Sequence, residues 1–212
     1  MGASSASLYL HIPFCISKCD YCDFYSVPVQ KADGIPEQFV PALLADVAGQ
    51  LKYFGIREVP TVYIGGGTPS LLGASGIRLL LNGLFPLLPN TPEEFTIELN
   101  PESAGREFLD ACRSHGVTRI SMGVQTFCEA ARSAVRRQGK PDREKLEIAA
   151  YLFSGNFCAD IMSGLPFQSE ELLLDDLETI LLFEPAHVSL YALTVEEDTP
   201  LGKKQFRKKK IR

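Results

Sequence analysis

Two hydrophobic rhythms alternate along this chain. Short runs rich in apolar and β-branched residues fall at Leu8–Ile12, Thr61–Ile64, Phe95–Leu99, Arg119–Met122, Cys158–Met162 and His187–Ala192, and they read as strands. Between the first two, Phe39, Val40, Leu43, Leu44, Val47 and Leu51 recur near helical spacing, predicting a helix over Glu37–Phe54. The same reasoning predicts helices over Ser75–Leu84, Glu102–His115, Lys140–Ser154 and Ser169–Phe183. Pro36 and Pro101 stand near two of the helix starts, where a missing N–H is tolerated.

Strands that alternate with helices imply an α/β fold with parallel strands, either a doubly wound sheet or a barrel of TIM type. In both architectures ligands sit beyond the carboxyl ends of the strands. The punctuated, polar-bearing stretches of this chain all follow strands: His11–Phe24, Gly65–Ser70, Glu98–Glu102, Gly123–Phe127, Gly164–Gln168 and Tyr191–Thr194. One composite site is expected at that end.

Length and composition are those of one ordinary globular domain. Apolar stretches such as Leu79–Leu81 and Ile180–Phe183 are far too short to span a bilayer, so no transmembrane segment is expected. Six cysteines without a recognisable leader point to a reducing compartment, hence a cytoplasmic location. The net charge of −5 conceals an asymmetry. Residues 203–212 carry seven positive charges and no acid, leaving −12 on residues 1–202. An acidic body does not suit a general nucleic-acid binder. The chain therefore divides into a core domain over 1–202 and a basic tail over 203–212, expected to be disordered.

Chemistry concentrates first in Cys15, Cys19 and Cys22, a C-x3-C-x2-C triplet. Three thiolates on one short loop can ligate a [4Fe–4S] cluster and leave its fourth iron open. The competing readings are a zinc site completed by His11 or a remote residue, or free thiols. Cys112, Cys128 and Cys158 stand alone and read as buried, inert thiols. The run Gly65-Gly66-Gly67-Thr68-Pro69-Ser70 directly after a strand allows close backbone approach to a ligand, and it is neither a P-loop nor a dinucleotide fingerprint. Glu98 ends a strand, where a carboxylate could accept from a ribose or an amine or simply face solvent. Gln125 and Asp160 hold similar positions, and Asp160 interrupts an apolar run, so it needs a partner or a ligand.

Six ordered motifs together resemble the radical S-adenosylmethionine superfamily. They are Tyr-Leu-His-Ile-Pro-Phe-Cys-x3-Cys-x2-Cys, Gly-Gly-Gly-Thr-Pro-Ser, Glu-Leu-Asn-Pro-Glu, Gly-Val-Gln-Thr-Phe, Asp-Ile-Met-Ser-Gly-Leu-Pro and Ser-Leu-Tyr-Ala-Leu, spread from about residue 8 to residue 202. Within the superfamily the chain is most similar to the oxygen-independent coproporphyrinogen III oxidase-like group that includes the HemW-type haem chaperones. The resemblance implies a partial (β/α)6 barrel with Cys15, Cys19 and Cys22 as cluster ligands. It implies S-adenosylmethionine on the open iron, met by Gly66, Gly67 and Thr68 at its methionyl end and by Glu98 on its ribose side. Tyr9, Tyr21, Gln125, Arg137, Asp160 and Ala192 fall where the family places further cofactor contacts. It also implies a reduced flavodoxin- or ferredoxin-type electron donor, a haem or tetrapyrrole ligand and a haem-accepting protein.

Two departures refine this. Decarboxylating members carry a further cysteine two residues after the triplet, where this chain has Phe24, as in the chaperone-type Cys-Asp-Phe pattern. Relatives of this group also continue past the sixth strand into a further domain, whereas this sequence ends in Thr199-Pro200-Leu201-Gly202 and the basic tail, without tryptophan. A C-terminally shortened form is the expectation, with apolar barrel surface left uncovered. Three roles stand open at this point: a haem chaperone that carries the cluster, a coproporphyrinogen oxidase-like radical enzyme, or an inactive shortened isoform.

Overall fold

In the computed structural model, which describes residues 4–29 and 34–209, one six-stranded parallel sheet carries the site. β1 (Leu8–Ile12) is followed by two short strands, β2 (Phe14–Cys15) and β3 (Val27–Pro28), and by α1 (Phe39–Phe54). Then come β4 (Thr61–Gly66), α2 (Gly73–Leu84), β5 (Glu94–Leu99), α3 (Arg106–Ser114), β6 (Arg119–Gln125), α4 (Glu129–Ala134) and α5 (Arg143–Leu152). The chain continues through β7 (Phe157–Ser163), α6 (Glu170–Leu181), β8 (His187–Ala192) and α7 (Pro200–Lys209). The sheet order is β1-β4-β5-β6-β7-β8, each strand parallel to the next. This is the expected partial (β/α)6 barrel, a sheet that curls without closing.

Residue alternation places the site. Leu10 and Ile12, Val62 and Ile64, Phe95 and Ile97, Ile120 and Met122, and Phe157, Ala159 and Ile161 are all buried in the main core. Because successive side chains on a strand point to opposite faces, the intervening residues share the other face. Those are Tyr9 and His11, Tyr63, Glu98, Ser121, Gln125, Asp160 and Tyr191. Register brings them side by side: Glu98 is level with Ser121, Gly123 with Asp160, and Asp160 with Ser189.

The helices end where their sequences say they should. Gly55 closes α1 in the left-handed conformation (φ 63°), its N–H donating to the Leu51 and Lys52 carbonyls. Asp142 and Ser169 cap α5 and α6 by accepting from Glu144 N–H and Leu172 N–H. Pro101 does not start a helix. The Asn100 carbonyl accepts from Ser103 and Ala104 N–H in a turn, and α3 begins only at Arg106.

Several expectations are corrected. The stretch Pro69–Leu87 is continuous enough, by length and composition, to pass for a membrane span. It is α2 flanked by two 3₁₀ turns, and its Ile77, Leu80, Leu81 and Leu84 are buried in the core. Tail residues 203–209, expected to be disordered, form most of α7. Lys, Gln and Arg are good helix formers, and Thr199 Oγ1 accepts from Gly202 N–H at the helix start. Residues 210–212 of that tail lie outside the described residues. Cys128 is half-buried rather than buried. A helix does follow β8, but Leu190 on that strand, Leu181 at the end of α6 and Leu182 just after it stay exposed, so some apolar surface is uncovered as expected.

Candidate cofactor site

The cysteine loop is shaped by polar bonds that do not use its thiols. β2 and β3 pair in parallel, Val27 N–H donates to Pro13 O at 2.6 Å, and Val29 N–H donates to Cys15 O at 2.8 Å. His11 Nε2 lies 2.9 Å from Tyr25 O, which can only accept, so Nε2 carries the proton and Nδ1 accepts from Tyr9 OH at 2.9 Å. With both ring nitrogens engaged, His11 is not free to complete a zinc site.

Asp20, between Cys19 and Tyr21, anchors the far side of the loop. Its N–H donates to Val135 O at 2.8 Å and its carbonyl accepts from Leu201 N–H at 2.9 Å. Its carboxylate takes Lys204 Nζ at 2.6 Å and Arg136 Nε, both from partly exposed side chains. The Asp20 side chain is covered, yet it lies close to the surface, under a thin layer of those two cations. Burial pushes its carboxyl up, but the Lys204 and Arg136 contacts outweigh that and hold it below its ordinary value.

Next to this loop runs the glycine segment. Gly66 has φ 119°, and a Cβ there would stand 2.8 Å from the His11 ring. A Cβ on Gly67 would stand 2.6 Å from Phe14 O and 3.0 Å from Cys15 Sγ. Only glycine lets the β4 end lie against the cysteine loop so closely. Thr68 Oγ1 then reaches Cys15 Sγ at 3.6 Å and accepts from Asn100 Nδ2 at 3.2 Å.

A cavity of about 440 Å³ opens between these segments and the strand ends. Its walls include Cys15, Cys19 and Cys22, together with Tyr21, Gly66, Gly67, Thr68, Glu98, Gln125, Arg137, Asp160 and Ala192. Of the cluster ligands and cofactor contacts expected from sequence, Tyr9 alone stands outside this wall, about half exposed and bonded to His11. Asn100, Ser121 and Met162 are wall residues that sequence reasoning missed. Asn100 follows Glu98 in the same strand-end motif, which was the available signal.

The wall is polar and poised. Glu98 Oε1 accepts from Tyr63 OH at 2.7 Å and Oε2 from Gly66 N–H at 3.1 Å, which fixes its rotamer. Burial raises the Glu98 carboxyl above its usual range, against the effect of those two bonds, and Asp160 adds to the rise. Asp160, held by Ser121 Oγ at 3.2 Å, is raised by burial as well. Burial pushes the Tyr21 phenol up to about 12 and also raises the Cys22 thiol. Arg137 donates to Gly123 O, to Asn100 Oδ1 at 3.4 Å and to Cys19 Sγ at 3.9 Å. Gln125 Oε1 and Arg137 Nε are buried with no hydrogen-bond partner.

The donor set fits a cluster better than a single ion. The three thiols are free, share one cavity wall, and are near enough that charge on Cys19 or Cys15 raises Cys22. Among the described residues no three His, Cys, Asp or Glu side chains gather around a single-ion site. A cubic cluster is ligated at separate irons, whereas zinc needs its ligands at one point. The two orphaned polar atoms fit an additional polar ligand in the same cavity.

A barrel of this kind with a three-thiol loop after its first strand defines a class. The radical SAM superfamily model matches residues 9–180, and the chain belongs to that superfamily. Within it, the chain is similar to the haem chaperone HemW of Escherichia coli (strain K12), 42% identical over 200 residues that cover 92% of this chain and 52% of that protein. Coproporphyrinogen III oxidase (HemN) from Escherichia coli, described as a radical SAM enzyme, superposes with a TM-score of 0.80 at 28% identity, covering 93% of this chain and 46% of its own. Streptococcus suis SuiB bound to S-adenosylmethionine shares the fold, with a TM-score of 0.63 at 17% identity over 92% of this chain and 42% of its own. The chain spans about half the length of the curated relatives it matches. A [4Fe–4S] cluster and S-adenosylmethionine are the cofactors expected of this superfamily.

Proposed function

We propose that this chain is the cofactor-binding core of a HemW-like haem chaperone, working in the cytoplasm within haem metabolism. Cys15, Cys19 and Cys22 hold the [4Fe–4S] cluster. Gly66, Gly67 and Thr68 receive the methionyl end of S-adenosylmethionine, and Glu98 its ribose side. Tyr21, Gln125, Arg137, Asp160 and Ala192 complete the pocket, while Tyr9 acts from outside it by holding His11. The observation that carries this reading is the convergence of three free thiols and five strand ends on one cavity, two of whose wall residues, Gln125 and Arg137, each carry an unpartnered buried polar atom.

When bound, the cluster supplies a single electron to the sulfonium of S-adenosylmethionine. The protein's residues bind and orient. Glu98 and Asp160 set negative charge near a cationic sulfonium, which offsets the cost of burying them. The Tyr63 and Gly66 bonds keep Glu98 in one rotamer before ligand arrives. Haem binding is supported by the HemW relatives and by exposed Phe24 and Tyr25 on the cysteine loop, apolar surface suited to a flat macrocycle. A reduced flavodoxin- or ferredoxin-type donor and a haem-accepting protein complete the scheme. The similarity to HemN favours a second reading, a coproporphyrinogen III oxidase-type radical enzyme.

Anaerobic reconstitution with iron and sulfide tests the first step. A sulfide-bridged cluster lost in Cys19→Ala is expected, and a chain that takes up only zinc refutes the reading. Haem titration of the reconstituted protein, followed by its Soret band, tests the chaperone role. Cysteine-dependent release of 5′-deoxyadenosine with coproporphyrinogen consumed would favour the enzyme instead.

A further inference from the structure

Gln125 occupies a backbone conformation that its side chain should avoid. Its φ is 68°, and Thr126 N–H donates across it to Val124 O at 2.9 Å, closing a three-residue γ-turn of the strained, positive-φ kind. Glycine would adopt this turn at less cost. The register of β6 against β7 shifts at this point, between Gly123 and Gln125. The strained residue is also the one whose Oε1 is buried, unpartnered and part of the cavity wall.

Two buried charges outside that wall hold the turn. Arg132 and Asp176 are each only 2% exposed. Arg132 Nη1 donates to Val124 O at 3.0 Å and Thr126 O at 3.3 Å, the carbonyls on either side of Gln125. Its other nitrogens reach Gly139 O at 3.0 Å, Gln138 O at 3.1 Å and the Glu102 carboxylate. Asp176, on α6, accepts from Thr126 OH at 2.6 Å, Phe127 N–H at 2.7 Å and Gln168 Nε2 at 3.2 Å. Residues 124, 126 and 127 are thus clamped, and 125 is the residue between them that belongs to the cavity wall. Arg132 also accepts from Arg137 N–H at 2.9 Å through its carbonyl. The same brace therefore sets the second side chain that carries an orphaned buried atom.

Stability alone does not call for this arrangement. A buried ion pair such as Arg132–Glu102 can often be replaced by apolar residues of similar volume at no cost, and Asp176 accepts only from neutral donors. Local strain of this kind persists only where the surroundings over-determine it. We propose that Arg132 and Asp176 are positioning residues that force Gln125 into its turn, so that the Gln125 amide and the Arg137 guanidinium are presented to the adenosyl ligand. The inference rests on the cavity being the S-adenosylmethionine site.

The experiment uses the full chain with Asp176→Leu, Arg132→Met and Gln125→Gly. Leucine at 176 keeps the approximate size but accepts from neither Phe127 N–H nor Thr126 OH, so both clamps on that side are lost. After anaerobic reconstitution, iron content and the EPR signal without ligand should match wild type in the two brace variants. The dissociation constant for S-adenosylmethionine should rise about tenfold, and the EPR change on adding it should shrink. In the metal-free chain, Gln125→Gly should melt above wild type because the strain is relieved, and once reconstituted it should bind the ligand at least as weakly as the brace variants. Brace variants with full cluster and a dissociation constant within about twofold of wild type would overturn the proposal. So would a metal-free Gln125→Gly that melts at or below wild type, a result that stands even if a brace variant fails to fold. A reconstituted wild type that does not bind S-adenosylmethionine would instead refute the reading of the cavity, leaving the melting comparison to judge the strain.

Discussion

Lys204→Met should loosen the cysteine loop from a distance. Lys204 lies on α7 and reaches the covered Asp20 carboxylate at 2.6 Å, while Arg136 holds the other oxygen. Removing one partner of a fully buried ion pair costs about 3–5 kcal/mol, and an exposed pair is worth about 0.2–1 kcal/mol. This pair is intermediate: the Asp20 side chain is 0% exposed, but that of Lys204 is 61% exposed and Arg136 remains. The expected loss is about 1–2 kcal/mol, since water can reach the cationic end and one cation stays. In a chain of this size each kcal/mol moves Tm by about 2–4 °C, so Tm should fall by about 2–8 °C. Hydrogen exchange read by mass spectrometry should quicken in both 16–25 and 200–209, because Asp20 also bonds Leu201 N–H. A double-mutant cycle with Asp20→Asn separates the pair from its surroundings. A coupling of about 1–2 kcal/mol is expected, and additivity within about 0.3 kcal/mol would refute the clamp. High salt should narrow the gap between wild type and Lys204→Met, since at 1 M the screening length is about 3 Å.

Gly67→Ala should be tolerated poorly, because its Cβ would stand 2.6 Å from Phe14 O and 3.0 Å from Cys15 Sγ. Overpacking of this kind costs about 1–3 kcal/mol, and iron uptake should drop alongside Tm; full iron content in this variant would contradict the close approach. Asp160→Asn should stabilise the ligand-free chain at neutral pH while weakening S-adenosylmethionine binding. Burial raises the folded-state pKa of Asp160, so the ionised form is penalised in the fold. That penalty is absent below the ordinary carboxylate range, near pH 4, and grows as pH rises through the folded pKa. The Tm advantage of Asp160→Asn should therefore be full at pH 7 and vanish near pH 4. An advantage that persists at pH 4 would point to packing rather than charge.

Much of the barrel was legible in sequence because each strand is a short apolar run followed by a polar loop. β1 and β8 begin and end where periodicity places them. β6 runs past the expected Met122 to Gln125, since Gly-Val-Gln carries no strand signal and its last residue is held in place by distant groups. α4, only six residues long, is too short for helical periodicity to register. The cavity residues were legible where they crowd at strand ends, as with the cysteines, the glycines, Glu98, Gln125 and Asp160. The supports behind them were not. Asp20 reads as a solvated loop acid until Lys204 arrives from the other end of the chain, and Arg132 as a surface helix residue until five acceptors enclose it. Asp176 sits among exposed acids on α6, and only the fold brings Thr126 and Phe127 to it. Such roles depend on pairs far apart in sequence, which local patterning does not encode.

The bonds that shape the cysteine loop involve His11, Tyr25, Asp20 and backbone amides, and none of them needs a metal. Small metal domains whose fold is made by the ion collapse when it leaves. None of these loop bonds would be broken by removing a metal, so a cluster lost from the proposed site would leave three thiols on a loop still pinned by them. Repair would then be a matter of refilling with iron and sulfide and not of resynthesis.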